Sequence, residues 1–230
     1  MSERVTAFLP CRAGSQRVPR KNIKPFADVQ HGLIEIKLKQ LFASEGVDEV
    51  VLSTNDEEIL AYAATLDDPK LRVHRRAEKL SSSETSTDQL VAHALELIGK
   101  GHILWTHVTS PFISAAQYDM IIAAYQDQLI AGYDSLMTTT EIHGFLWQHE
   151  RPMNYDRTVE KWPRTQTLEP VHEVNSGVFL APAEVYRDLD DRIGERPYLY
   201  PLDKLVSHDI DWNEDFIVGE TLLQKGLVQL

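Results

Sequence analysis

One cysteine, Cys11, stands among 230 residues. An intrachain disulfide framework is therefore excluded, and a reducing compartment fits. Basic residues are also scarce, with 23 Lys and Arg against 35 Asp and Glu and a net charge of -12. A duplex-binding surface normally presents a basic face, so nucleic acid is not an expected partner. No apolar run reaches the length of a membrane span, and Met1 to Arg4 lead straight into an apolar segment without a signal-peptide pattern. From these absences a cytoplasmic location and no membrane partner are expected. Internal repeats, low-complexity tracts and a clear linker are missing too. So are Gly-x-x-x-x-Gly-Lys-Ser/Thr and Gly-x-Gly-x-x-Gly, which disfavours P-loop kinases and nicotinamide dehydrogenases. His143, His149 and His172 lack the tight spacing of a zinc site.

What is present is an ordinary apolar fraction of 43% and enough chain for one large α/β domain spanning 1–230. Val5 to Leu9, Glu49 to Ser53, Leu71 to His74 and Ile103 to Val108 read as short buried strands. Between them, apolar residues recur at helical spacing over Gly32 to Ser44, after Thr54-Asn55-Asp56, over Gln89 to Ile98 and over Ala115 to Leu129. Strands alternating with helices predict a doubly wound, mostly parallel sheet. Ligands in that architecture bind beyond the carboxyl ends of the strands. The loops Cys11 to Asn22, Thr54 to Asp56 and His107 to Pro111 are all at such ends. The second half is less regular. It offers strands at Ser135 to Thr140 and Gly177 to Leu180, a last helix over Trp212 to Leu223, and a polar, aromatic segment at 141–168 that suggests a projecting arm.

Two constellations carry chemistry. The first is Leu-Pro-Cys-Arg-Ala-Gly-Ser-Gln-Arg-Val-Pro-Arg-Lys-Asn at Leu9 to Asn22. Gly14 and Ser15 let backbone approach phosphate oxygens, while Arg12, Arg17, Arg20 and Lys21 offset their charge. A solvated basic loop would have the same composition. The second is Asp209-Ile210-Asp211, whose carboxylates point the same way on an extended segment. Such a pair suits a hard cation, although Asp211 could instead cap the helix that follows. A phosphate cradle and a magnesium site together describe a nucleotidyl transferase. Cys11, inside the cationic loop and without a histidine partner in sequence, reads as a small buried filler.

These residues resemble the acylneuraminate cytidylyltransferase family, and more distantly the CMP-Kdo synthetases. The blocks that carry the likeness are Arg12 to Asn22, Leu52 to Ile59, Arg75 to Ser81, Thr109 to Pro111, Asn175 to Phe179 and Asp209 to Phe216. They run in family order along nearly the whole chain. The resemblance implies that CMP passes from CTP to the anomeric hydroxyl of an acidic α-keto acid sugar, a sialic or related nonulosonic acid, and that pyrophosphate leaves. It implies nucleotide contacts from Arg12, Ala13, Gly14, Ser15, Lys21, Asn22 and Arg75. Thr87 falls near a nucleotide-facing hydroxyl of the family, but helix capping by Ser86 or Thr87 is an equally good account. Asp209 and Asp211 match a Mg2+-binding pair, with Arg12, Lys21 and Asp211 closest to the chemistry.

On the acceptor side the resemblance implies roles for His107, Thr109, Ser110, Arg164, Gln166 and Asn175. Here the chain departs from its family. His107 replaces a glutamine, Ile113 replaces an arginine, and a lysine expected near Leu146 and Trp147 is absent. His107 could bond the sugar or be structural. The family's dimers insert an arm toward the neighbouring site, so a homodimer joined through 141–168 is expected. Phe145, Trp147, Tyr155 and Trp162 could serve that interface or form a local core. The rival readings are transfer to a phosphonate or Kdo-like acid, and a nucleotide-binding module without turnover.

Overall fold

The computed structural model describes residues 3–82 and 84–230. Seven strands form one sheet: β1 (Val5–Cys11), β2 (Glu49–Thr54), β3 (Leu71–Arg75), β4 (His102–Thr106), β5 (Ser135–Ile142), β8 (Val171–Pro182) and β9 (Pro197–Pro201). Between β5 and β8 a separate two-stranded hairpin is made by β6 (Trp147–Gln148) and β7 (Arg151–Pro152). The sheet order is β3-β2-β1-β4-β8-β5-β9. β1, β2, β3 and β4 are mutually parallel, as the alternation of strands and helices predicts. β8 alone runs against its neighbours β4 and β5, and β9 pairs parallel with β5 at the edge.

The chain moves outward from β1 to β3, then returns to place β4 on the other side of β1. The crevice between β1 and β4 is therefore the switch point of the sheet, where doubly wound folds bind ligands. The loops that follow β1 and β4 are the two that the sequence singles out.

Side chains alternate across the strands and build a core on each face. Ala7, Leu9, Val50, Leu52 and Leu104 face a layer of α1 (Gly32–Ala43), α2 (Glu57–Ala63), α4 (Ala115–Ile130) and α6 (Asn213–Gln224). Phe8, Val51, Ile103 and Trp105 face α3 (Thr87–Ile98) and α5 (Ala183–Leu189). Cys11 is buried in the first core, where loss of solvation pushes its thiol up to about 12, so it packs as a filler and is no nucleophile.

The elements depart from expectation where local rules conflict. β4 stops at Thr106, two residues early, because the turn at Val108 and Thr109 follows it almost at once. β8 is three times the expected length, extended by its ladder to β5 despite a register shift between Met137 and Thr139. β9 and α5 are additions. Prolines bracket β9, and an edge position tolerates them.

Candidate active site

The loop after β1 is shaped by its own residues. Gly14 adopts φ of +76°, a conformation costly for any residue with a Cβ. The Ser15 hydroxyl accepts from the Val18 amide at 3.4 Å, and Asn22 donates to the Arg12 carbonyl at 3.2 Å. Val18 and Ile23 are buried and pin the loop to the core. A cavity of about 480 Å³ opens beside it, lined by Arg12, Ser15, Arg17, Lys21 and Asn22 from the loop and by Arg76, His107 and Thr109 opposite.

The two ends of the chain meet here. Lys21 Nζ donates to Asp211 Oδ1 at 2.8 Å, and Arg17 donates to Asp211 Oδ2 at 2.7 Å. Burial alone would raise the Asp211 carboxyl, but these two cations outweigh it and hold the group below the usual range. Asp211 does not cap α6. Asp215 does that work, accepting from the Asp211 and Trp212 amides at 2.8 and 2.7 Å. Between the two acids Ile210 is fully buried, and its amide donates to the Thr109 carbonyl at 2.8 Å. That bond fixes the acid pair against the end of β4.

Asp209 has a different environment. Burial raises its carboxyl, with the Thr109 hydroxyl and Lys21 opposing the shift. Its Oδ1 is buried and has no hydrogen-bond partner among the described residues. Asp209 lines a second cavity of about 330 Å³ with Thr140, Glu173, Asn175, Lys204 and Ser207. The acid pair thus stands between two cavities, one cationic and one that mixes hydroxyls and an amide with Glu173, Lys204 and Asp209. Asn175 is held rigidly there. Its Oδ1 accepts from Thr138 Oγ1 at 2.7 Å and from the Gly177 amide at 3.1 Å, and its Nδ2 donates to Thr140 Oγ1 at 3.1 Å.

Several candidate residues have other surroundings. Arg75 does not line the first cavity; it is exposed, pairs with Glu57 and borders a separate depression with His74 and His93. Arg76 takes the place expected of it. Arg76 is buried, donates to Ser81 Oγ at 3.2 Å, and feels both its own desolvation and the nearby Arg12 charge. The Ala13 amide is already engaged by Asn55 Oδ1 at 3.0 Å. Ser110 is buried away from the cavity, its carbonyl accepting from Lys37 Nζ at 2.8 Å. Thr87 is exposed at the start of α3 and lines neither cavity, while Ser86 caps that helix by accepting from the Gln89 amide at 3.2 Å.

Arg164 and Gln166 are exposed on the 141–168 segment, away from both cavities of their own chain. That segment has a small core of its own. Phe145 meets Tyr155 and Trp162 edge to face at 5.3 Å, and Trp147 Nε1 donates to the Tyr155 hydroxyl at 3.0 Å. Of the three histidines set aside for zinc, His143 bonds Glu141 and His172 bonds Thr139.

His107 lines the first cavity, and its Nε2 accepts from the Trp105 indole at 3.0 Å. Burial, reinforced by the charges of Arg192, Lys21 and Lys37, pushes the imidazole down to about 3. Lys37 was not among the residues expected to matter. It sits buried on α1, donates to Ser110 and to the Tyr118 hydroxyl, and so holds the loop after β4 in place. A lysine within an apolar helical stripe was the available signal.

A family model described as cytidylyltransferase matches residues 6–167. The chain belongs to the cytidylyltransferase family. A pseudaminic acid cytidylyltransferase of Campylobacter jejuni subsp. jejuni serotype O:23/36 is 33% identical over 223 residues, covering 94% of each chain. An N-acylneuraminate cytidylyltransferase of Escherichia coli O18:K1:H7 is 24% identical over 98% of this chain and 53% of its own length. The chain therefore spans about half of that second relative. Among solved cytidylyltransferase-fold structures, a CMP:2-keto-3-deoxy-manno-octonic acid synthetase complexed with CTP superposes with a TM-score of 0.67 at 15% identity, covering 97% of this chain and 99% of that one. A 4-diphosphocytidyl-2C-methyl-D-erythritol synthase from Anaerococcus prevotii gives 0.68 at 16% identity, with 96% of both chains covered. These two likenesses establish the fold of this cytidylyltransferase-family chain. No helix among its described residues is long and apolar enough to cross a membrane.

Proposed function

We propose that this chain transfers CMP from CTP to the anomeric hydroxyl of an acidic α-keto acid sugar of the nonulosonic class, with pyrophosphate leaving. The observation that carries this reading is the convergence on Asp211 of Lys21 and Arg17 from the loop after β1. The names of the pseudaminic acid and N-acylneuraminate relatives support the acceptor class. In-line transfer at phosphorus needs mainly positioning and charge neutralisation. Arg12, Arg76 and Lys21 offer that charge around the first cavity. The second cavity, with Asn175 and Thr140 beside Asp209, receives the acceptor. Arriving phosphate oxygens compete with Asp211 for Lys21 and Arg17, so nucleotide binding frees the carboxylate that these two cations neutralise.

Asp209 and Asp211 fit magnesium. Both are hard oxygen donors, and Asp209 Oδ1 is a buried acceptor with no partner among the described residues. Magnesium takes one or two carboxylates and completes its shell with phosphate and water. When bound there, the ion supplies charge neutralisation and Lewis-acid polarisation. In the same reading a second copy of the chain meets the 141–168 arm, and Arg164 and Gln166 serve the neighbour's acceptor cavity.

The test is pyrophosphate release from CTP and magnesium with a panel of acceptors: pseudaminic acid, N-acetylneuraminic acid, Kdo and aminoethylphosphonate. Release with a nonulosonic acid is expected. Release with Kdo or the phosphonate alone would move the acceptor class. Tight CTP binding with no release from any acceptor would identify a binding module.

A further inference from the structure

Asp211 is closed on both oxygens by cations of unequal freedom. Lys21, on Oδ1, has a side chain 11% exposed, while that of Arg17, on Oδ2, is 46% exposed. Val18, beside Arg17, is fully buried, so the backbone there is pinned and the freedom belongs to the side chain. The Arg17 guanidinium has a second neighbour. Its Cζ stands over the Trp212 ring at 5.2 Å, the stacking that a flat, weakly hydrated cation favours. Trp212 is 55% exposed and lines neither cavity. Its backbone is fixed. The Trp212 amide donates to Asp215 Oδ2 at 2.7 Å, and Phe216, four residues on, is buried edge to face against Phe26 at 5.7 Å. A fixed ring outside the first cavity thus carries a movable cation that lines it.

This arrangement sets a condition on any divalent cation at Asp211. The ion must share the carboxylate with a guanidinium at 2.7 Å and an ammonium at 2.8 Å, and like charges that close repel. Lys21 has little room to turn aside, whereas Arg17 can swing across the indole face. We propose that Arg17 gates Asp211 against a divalent cation, and that Trp212 is the positioning residue that keeps the guanidinium ordered beside the cavity, on Asp211 before the nucleotide arrives and on its phosphates afterwards. The phosphate contact rests on the proposed function; the competition between Arg17 and a divalent cation is read without nucleotide. The ion then enters with or after the triphosphate, once the gate is drawn off. An arginine already ordered on a ring also costs less to fix when the ligand binds. Loss of the ring therefore acts in two opposite directions. It loosens Arg17 from Asp211, which favours the metal, and it leaves Arg17 to be ordered at binding, which disfavours the nucleotide.

The experiment pairs two titrations on the full chain. Mn2+, a hard dication that takes oxygen ligands as magnesium does, is titrated without nucleotide and followed by the loss of its free electron-paramagnetic-resonance signal. Arg17→Ala should bind Mn2+ about tenfold more tightly than the parent protein, the effect of removing a unit charge a few ångströms from a dication in a wet site. Trp212→Ala should bind it about threefold more tightly. CTP is then titrated without metal by calorimetry. Arg17→Ala should weaken CTP by about tenfold, the loss of a charge-assisted bond, and Trp212→Ala by about threefold. Trp212→Phe keeps a ring face and should stay within about twofold of the parent. The double variant should bind CTP no more weakly than Arg17→Ala alone, because the ring acts only through the arginine. Structural damage at Trp212 would weaken both ligands and would multiply with the loss at Arg17; either result overturns the positioning role. Equal Mn2+ affinity in the parent protein and Arg17→Ala, including none in either, overturns the gate. A parent protein that fails to bind CTP would sink the functional reading instead, and the Mn2+ titration would still decide the gate.

Discussion

The two cavities beside the acid pair are assembled by different means. The first draws half of its lining from one loop of eleven residues, Arg12 to Asn22, whose shape is fixed by Gly14, Ser15 and Asn22 and whose cations are close in sequence. The second is collected from β5, β8 and the segment after β9, residues between Thr140 and Asp209. A triphosphate presents many equivalent charged oxygens, and a short cationic loop can wrap them. An acceptor acid presents different groups in different directions, and only residues from several elements can surround it. The cradle is therefore a motif, while the acceptor cavity is a product of topology.

That difference is open to test, beginning with the largest effect. Asp211→Ala removes the carboxylate shared by both sides, and turnover should fall at least about 100-fold, as it does when a group stabilising transition-state charge is lost. Circular dichroism should remain native, since the side chain is partly exposed and bonds only to two loop cations. Near-normal turnover would contradict the site. The cradle side is sharpened by two neighbours. Arg76→Ala should weaken CTP binding by about tenfold in calorimetry, the loss of a charge-assisted bond, while Arg75→Ala should change it less than about twofold because an exposed ion pair contributes little. Equal losses would mean that the side-chain directions at the end of β3 are wrong.

The acceptor side gives a smaller and opposite effect. Burial raises the Asp209 carboxyl, so its folded pKa lies above its unfolded one. The stability tied to its proton is fully present below the unfolded pKa and is lost as pH rises through the folded one. Asp209→Asn should then raise Tm at neutral pH by about 2–4 °C in the absence of ligand, the shift that roughly 1 kcal/mol gives a chain of this size. The gain should vanish at acid pH, where the parent residue is neutral too. A destabilised variant at pH 7 would show that the carboxylate is satisfied without a ligand.

The parallel half of the fold was legible because its rules agree. The helical spacing of Leu33, Ile34, Leu38 and Leu41 predicts Gly32 to Ser44, and α1 ends one residue short of that. The acid pair stands out in the sequence as two aspartates at a spacing of two, but their separate surroundings do not: Asp211 meets Lys21 and Arg17, while Asp209 lines the second cavity. Other features depend on partners distant in sequence. Arg75 and Arg76 are interchangeable in composition, and a one-residue step on a strand reverses the side chain's face. Only the fold shows which arginine turns toward the cradle: Arg76 lines the first cavity, and Arg75 borders a separate depression. Ser110 looks available until Lys37, 73 residues earlier, is found holding its carbonyl. The Ala13 amide looks free until Asn55 is found accepting from it.

The central claim is that the loop near the start of the chain and the acids near its end grip one ligand. Calorimetric titration of CTP into the parent protein and into Asp211→Ala, each with and without magnesium, tests it most directly. Magnesium should tighten CTP binding to the parent protein. That gain should be lost in the variant, which without metal should bind CTP at least as tightly because Lys21 and Arg17 are released. An unchanged magnesium effect in Asp211→Ala would contradict the account.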